Sequence, residues 1–314
     1  MRVFTGRSVL PAPREGTVLA VGNFDGVHLG HQSVFESAVR AARERGAPAV
    51  ILTFSAHPLA ALSPERAPAP IMAVSDRLRI AESFGFDVAL VLDFDDQLAA
   101  MSPEAFTRSL LVDRLGVVEV VAGEAWRFGK GRKGDMALLE RLGSRLGFDV
   151  RSVPPVMSGG LAVSSTRVRE AIAAGDVTAA GTLLGRPHFV RGEVIRGEGR
   201  GRGLGFPTVN LHCGDLLLPA DGVYACGYLT GENSGPSAVN IGPAPTFHKE
   251  FQGLEAHLMD WDGELYGNTV TIAFIRRLRA SIAFPDAAKL AEQIAADVRS
   301  TRTIFRPDLM AGIP

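Results

Sequence analysis

Cysteine is scarce. Two residues in 314, at 213 and 226, exclude a disulfide framework and a four-thiolate zinc site. Charge of one sign is equally lacking: 33 Lys+Arg stand against 34 Asp+Glu, a net charge of −1. That balance gives no electrostatic footprint for a nucleic-acid or membrane partner. Long apolar runs are missing too. The longest strongly apolar stretches, such as 49–54 and 88–92, fall far short of the roughly 20 residues a membrane helix needs. The opening MRVFTGRSVL has no apolar core of a secretory signal, so a cytoplasmic protein is expected. Gly-Lys-Ser/Thr occurs nowhere, and no Gly-x-Gly-x-x-Gly follows the first expected strand. These absences argue against a P-loop and against a dinucleotide dehydrogenase. What is present is a chain 46% apolar and 21% charged, long enough for two domains that each bury a core. Disorder, collagen and coiled coil are excluded by the same composition.

The first half alternates apolar runs with helical stretches. Buried strands are expected at 17–22, 49–54, 88–92, 117–122 and 148–153, with helices near 31–45, 75–84, 102–115 and 135–147. Ser75-Asp76 and Ser102-Pro103 suit helix starts. Apolar strands separated by helices imply right-handed crossovers and a doubly wound parallel sheet. Helices near 164–174 and 176–184 close this half. After Arg186-Pro187 the pattern changes to short strand-like segments at 189–193, 207–211, 223–229, 238–241, 254–259 and 269–275. Gly, Pro and Asn/Asp separate them, as in an antiparallel barrel, and a last helix covers about 285–299. The expected domains are 1–185 and 186–314.

The junction GNFDGVHLGH at 22–31 follows the first strand and opens the first helix. Open α/β sheets bind ligands at that edge, and a helix N-terminus favours an anion. His28 and His31 can both donate to a phosphate; Gly22, Asn23, Phe24 and Gly30 complete the cradle, with Gly30 allowing close backbone approach. A tight turn with surface histidines is the plainer alternative. Ser164, Ser165, Thr166 and Arg167 start another helix, where Arg167 and Arg169 oppose the helix dipole unless an anion binds. Arg127, Lys130, Arg132 and Lys133 form a glycine-rich segment expected to be a mobile basic loop able to close over a triphosphate.

The second half carries another glycine-rich arch, with Gly197, Gly199, Gly201, Gly203 and Gly205 alternating and Arg202 among them. Such spacing suits a loop whose amides wrap a polyphosphate rather than a packed strand. It runs into Pro207, Thr208 and Asn210. Thr208 and Asn210 lie two apart on an expected strand, so their side chains share a direction. A hydroxyl and an amide oxygen suit Mg²⁺ that takes its anionic ligands from ATP. A flexible linker and an ordinary edge strand remain the alternative. Glu255 and His257 alternate with Leu254, Ala256 and Leu258. A carboxylate there can take a proton from a substrate hydroxyl, although alone it reads as a solvated strand-face Glu.

HLGH (28–31) with SSTR (164–167) resembles the nucleotidyltransferases that attach AMP or CMP to a phosphate and release pyrophosphate. The string GNFDGVHLGHQ, with TFSAHP (53–58) and RFGKGRKGD (127–135), is similar to bacterial bifunctional riboflavin kinase/FAD synthetase. GRGLGFPTVNL (201–211), PADGVYA (219–225), VNIGPAPTF (239–247) and LYG (265–267) resemble its riboflavin kinase module. The resemblance spans nearly the whole chain. It implies a Rossmann-like nucleotidyltransferase domain, then a six-stranded antiparallel barrel with a C-terminal helix. It further implies riboflavin, FMN and ATP as substrates, FAD as product and Mg²⁺ with ATP, with any self-association a weak homo-oligomer. Within it Glu255 matches the catalytic base, and Thr208 and Asn210 match the metal–ATP site. Three positions depart from the family: Ser55-Ala56 where Asp-Pro is usual, Ala125-Trp126 where Asp or Asn then Phe is usual, and Ser281 where a Glu is usual.

Overall fold

A computed structural model describes residues 1–6, 16–196, 205–243 and 252–314. Two compact units emerge: residues 1–70 with 74–164 and 314, and residues 71–73 with 165–313.

The first unit is a six-stranded sheet. Its strands are β1 (Arg2–Thr5), β2 (Thr17–Val21), β3 (Ala49–Phe54), β4 (Val88–Leu92), β5 (Val117–Gly123) and β6 (Asp149–Val153). The order is β1-β4-β3-β2-β5-β6, and every pairing is parallel. A short hairpin of β7 (Met157–Ser158) and β8 (Leu161–Ala162) follows. The helices are α1 (Leu29–Arg45), α2 (Pro58–Leu62), α3 (Val74–Phe84), α4 (Asp96–Ala100), α5 (Pro103–Phe106) and α6 (Met136–Leu146). Strands β2 and β4 are buried end to end, which is why their sequences are uninterrupted apolar runs. Leu19, Leu52, Leu90, Val120 and Leu139 sit in one core. Gly46 and Gly147 end α1 and α6 at φ 62 and 84, the left-handed conformation glycine adopts without strain.

In the second unit, α7 (Ser165–Ala173) and α8 (Val177–Leu184) precede a closed antiparallel barrel. Its strands are β9 (His188–Ile195), β10 (Val209–His212), β11 (Gly222–Thr230), β12 (Asn233–Pro243), β13 (Gln252–Leu258) and β14 (Thr269–Arg279), joined in the order β10-β13-β12-β11-β14-β9. Val190, Tyr224, Val239, Leu254, Ala256 and Ile272 fill the interior. The helix α9 (Ala287–Ile304) begins at its Asp286 cap, and Arg279 of β14 forks onto its Asp297 at 2.8 and 3.1 Å.

Several expectations need correction. The segment 2–5 is a strand, unforeseen because RVFT is short and mostly exposed at the sheet edge. Helix α3 starts at Val74, so Ser75-Asp76 lies inside its first turn instead of capping it. The expected helix 102–115 is one α-turn followed by a π-helical turn over residues 107–112. There the Asp113 and Leu115 amides bond to carbonyls five residues back, at 2.9 and 3.2 Å. Ser102 does cap α5, accepting from the Ala105 amide at 3.1 Å. Thr208 stands one residue before β10 rather than on it.

Candidate active sites

The first candidate site grows from the carboxyl end of β2. That strand lies between β3 and β5, so the chain reverses its winding there, the place where doubly wound sheets hold ligands. Gly22 closes the strand with its amide on the Leu52 carbonyl at 3.1 Å, and a side chain at 22 would run into the Phe24 ring. The turn that follows is strained. Phe24 and Val27 hold φ values of 53 and 41 without being glycine, at a cost of roughly 1–3 kcal/mol each. Neighbours hold this shape: the Val27 amide bonds to the Phe24 carbonyl at 3.1 Å, and Gln32 Nε2 donates to the Val27 carbonyl at 2.8 Å. Strain concentrated here points to function.

His28 is the N-cap of α1. Its Nδ1 accepts from the His31 amide at 3.3 Å, so the neutral ring carries its hydrogen on Nε2 and presents a donor. The His28 and His31 rings stack with centroids 3.6 Å apart, and the edge of His31 meets Phe24. The stacked pair thus holds the His28 Nε2–H in a fixed direction. Asn23 supplies a second indication: its Oδ1 is buried with no hydrogen-bond partner among the described residues. A Cβ at Gly30 would stand 3.1 Å from His28 Cε1, so the glycine also makes room for the histidine ring.

The basic segment follows β5, the strand paired with β2, so the two segments leave neighbouring carboxyl ends. It is folded, not loose. Phe128 and Gly134 exchange both backbone hydrogen bonds at 3.1 and 2.9 Å, and the Lys130 amide bonds to the Met101 carbonyl at 2.7 Å. Phe128 is buried with Trp126 stacked on it, and the Pro103 ring would block any side chain at Gly129. Arg127, Lys130, Arg132 and Lys133 all stay exposed. The backbone bonds anchor the ends of a basic rim. Val163 lies against Gly30 through its carbonyl, and Ser164 comes next. Ser165, Thr166 and Arg167 open α7 in the second unit.

The second candidate site is a rung across three barrel strands. In register, Glu255 of β13 pairs with Asn210 of β10 on one side and Asn240 of β12 on the other. Directly opposed residues share a face. Leu254, Ala256 and Leu258 point into the core, so this rung faces outward. Thr208 Oγ1 donates to Glu255 Oε1 at 2.6 Å, leaving Oε2 without a protein donor among the described residues. His257 Nδ1 donates to the Pro207 carbonyl at 2.7 Å. Gly205 holds φ 84. Gly197, Gly199, Gly201, Arg202 and Gly203 lie outside the described residues.

The donor set at this rung fits Mg²⁺ that arrives with a nucleotide. The Thr208 hydrogen is committed to Glu255, which leaves the oxygen lone pairs for a cation, and Asn210 offers a neutral amide oxygen. Among the described residues no group of three or more His, Cys, Asp or Glu could hold a metal by itself.

Sequence reasoning overlooked Asn240, which becomes visible only once barrel register sets it beside Glu255. It also overlooked Arg77, a charged residue on the buried face of α3, where Ile80 three positions on was the available signal. Of the departures, Ser55 donates to Asp93 Oδ1 at 2.6 Å, Trp126 packs on Phe128, and Ala125 and Ser281 are exposed.

Comparison with known proteins matches each half of the chain to its own family. The FAD synthetase family model matches residues 10–167, and the riboflavin kinase family model matches residues 184–305. A protein of Escherichia coli K12 named bifunctional riboflavin kinase/FMN adenylyltransferase is 37% identical over 295 residues, covering 94% of each chain. Relatives of the same name from Pseudomonas fluorescens and Bacillus subtilis are 36% and 34% identical, over 98% and 92% of this chain. A crystal structure from Streptococcus pneumoniae, described as a macrolide-efflux protein, is 31% identical with a TM-score of 0.88 and covers 96% of this chain and 99% of that one. Among the described residues here, no helix is long and apolar enough to cross a membrane. On the two family models and the near-full-length relatives, the chain belongs to the bifunctional riboflavin kinase/FMN adenylyltransferase family.

Proposed function

We propose that residues 186–314 phosphorylate riboflavin to FMN and residues 1–185 adenylylate FMN to FAD, in the cytoplasm, each with its own ATP. The observation that carries this reading is that each unit has a separate assembled cluster: the stacked His28–His31 pair in one, the Thr208–Glu255 bond in the other.

In the barrel, Glu255 Oε2 accepts the proton of the terminal ribityl hydroxyl. That oxygen then forms a bond to the γ-phosphorus of ATP as the bond to the β-phosphate oxygen breaks, giving FMN and ADP. Thr208 holds the Glu255 carboxylate in place through Oε1. Thr208 Oγ1 and the Asn210 amide oxygen would hold Mg²⁺. When bound, the ion would neutralise charge on the β- and γ-phosphates. The glycine arch at 197–205, with Arg202 and Pro207, would wrap the polyphosphate.

In the sheet domain, a phosphate oxygen of FMN attacks the α-phosphorus of ATP and pyrophosphate leaves. No covalent enzyme intermediate is required. His28 Nε2–H and His31 donate to phosphate oxygens, and the rim of Arg127, Lys130, Arg132 and Lys133 receives the departing pyrophosphate. Gly22, Asn23, Phe24 and Gly30 shape the cradle. Ser164 follows Val163 along the chain and would bring a hydroxyl to the same phosphates; Ser165, Thr166 and Arg167, which open α7, are further candidate ATP-binding residues.

The test is one incubation of the purified protein with riboflavin, ATP and Mg²⁺, followed chromatographically. FMN with ADP, then FAD with pyrophosphate, is the expected sequence. FMN that accumulates without FAD would leave only the kinase half; neither product would remove the kinase half, and a parallel incubation with FMN and ATP that yields no FAD would remove the other.

A further inference from the structure

Arg77 is a charged side chain only 3% exposed, on the face of α3 that also buries Ile80 and Ala81. An arginine withdrawn from water needs acceptors for its donors. Nη1 donates to Thr53 Oγ1 at 2.9 Å and to the Phe54 carbonyl at 3.1 Å. Nη2 stands 3.9 Å from Asp25 Oδ1, a carboxylate equally buried at 3% exposure. Thr53, near the end of β3, passes the contact on by donating Oγ1 to the Asn23 carbonyl at 2.9 Å. This chain of bonds ends on the peptide that leads into Phe24 at φ 53. Asp25 lies between that residue and Val27 at φ 41. His28 comes immediately after.

A strained turn of this kind persists only where its surroundings over-determine it. The His28 ring is set by the direction in which the backbone leaves Val27. Resting on the adenylyl-transfer reading of the sheet domain, we propose that Arg77 is a positioning residue. Acting through Thr53 and Asp25, it locks the turn 23–27 in its strained form and so aims His28 at the nucleotide phosphates. It is a positioning residue rather than a catalytic one, since it acts through Thr53 and Asp25 and not at the reacting atoms. The buried charge anchors a backbone shape rather than binding substrate.

The full chain tests this with Thr53→Val and Thr53→Ser, because a misplacement of about 1 Å at a reacting group lowers turnover by about 10²-fold. Thr53→Val is expected to lower kcat for FAD formation about 10²-fold while KM for ATP changes by less than about threefold. Riboflavin phosphorylation in the barrel reports that the chain is folded. Thr53→Ser, which keeps the hydroxyl, restores FAD formation to within about threefold of the parent. In a His28→Ala background Thr53→Val costs nothing further, because residues acting as one unit are non-additive. The proposal is overturned if Thr53→Val turns over at the parental rate, if Thr53→Ser is as slow as Thr53→Val, or if the two losses multiply in the double variant. Should the parent form no FAD at all, the adenylyl-transfer reading fails separately. NMR of the histidine rings then decides the positioning role: Thr53→Val must shift the His28 resonances and leave those of His257 in place. Unmoved His28 resonances overturn it.

Discussion

Gly30→Ala isolates the part played by the histidine pair. Gly30 is the second residue of α1, and its φ lies outside the left-handed region, so the backbone accepts alanine. Helix preference alone favours the substitution by up to about 1 kcal/mol. The new methyl, however, would stand 3.1 Å from His28 Cε1 and 3.2 Å from His28 Nδ1. Both separations are shorter than such atoms settle at, so the ring must shift by a few tenths of an ångström. It has little slack. Its Nδ1 already accepts from the His31 amide at a long 3.3 Å, and its face stacks on His31 at 3.6 Å. Weakening the cap costs about 0.5–2 kcal/mol, which offsets the helix gain, so stability stays near the parental value. Catalysis does not share that cancellation. A displaced charge-stabilising donor typically loses about 10²–10³ in rate, or roughly 3–4 kcal/mol of barrier. The assay is FAD and pyrophosphate formation from FMN and ATP, with FMN formation from riboflavin as internal control. The expected outcome is FAD formation down by about 10²-fold or more, FMN formation unchanged and Tm within a few degrees. A Gly30→Ala protein that makes FAD within twofold of the parent refutes the role assigned to His28.

Three further outcomes follow from buried groups. Burial pushes the His188 imidazole down to about 4, so the folded barrel keeps it neutral while the unfolded chain protonates at its ordinary 6.5. The folded value is depressed, so stability is constant above about pH 6.5 and falls by up to about 3 kcal/mol as pH drops toward 4. Urea unfolding of the parent and of His188→Gln between pH 7.5 and 4.5 should diverge in slope, and parallel curves refute the assignment. Glu119 is buried on β5 and accepts from Arg45 Nε and Arg151 Nε, each at 2.6 Å. Both arginines are more than a third exposed, so Glu119→Gln is expected to cost about 1–3 kcal/mol, read as a lowered Tm with both activities retained at 25 °C; an unchanged Tm contradicts this. Burial raises the Cys213 thiol to about 12 and raises Cys226 as well, so neither should react with a thiol reagent in the native protein at pH 8. Prompt labelling of either one would show that the barrel opens there.

The four inner strands of the sheet and the six of the barrel were legible because burial dictates their patterns, whereas β6, expected to be buried, is an edge strand exposed at Asp149 and Ser152. A strand covered on both faces, such as β4 with VALVL, has to be uniformly apolar, and a barrel strand such as β13 has to alternate. Illegible elements are those shaped by partners distant in sequence. RVFT becomes β1 only because the exposed edge of β4 offers hydrogen bonds to pair with. The basic segment looks loose from its glycines, yet Phe128 and Trp126 pack it down. The same holds for the sites. HLGH and the Thr-x-Asn pair are local strings, so they could be read directly. The donor chain from Arg77 to Asn23 joins three separate segments, and no spacing rule reveals it.

Central to this account is that two independent ATP-using sites share one chain, one centred on His28 and the other on Glu255. Mixing two single-site variants tests that most directly. His28→Ala alone should convert riboflavin to FMN and stop there. Glu255→Gln alone should leave riboflavin unconsumed yet make FAD when FMN is supplied. Combined with riboflavin, ATP and Mg²⁺, they should together produce FAD, as FMN released by one chain is adenylylated by the other. If the mixture yields no FAD while the parent does so under the same conditions, the two sites are not independent and the account is wrong.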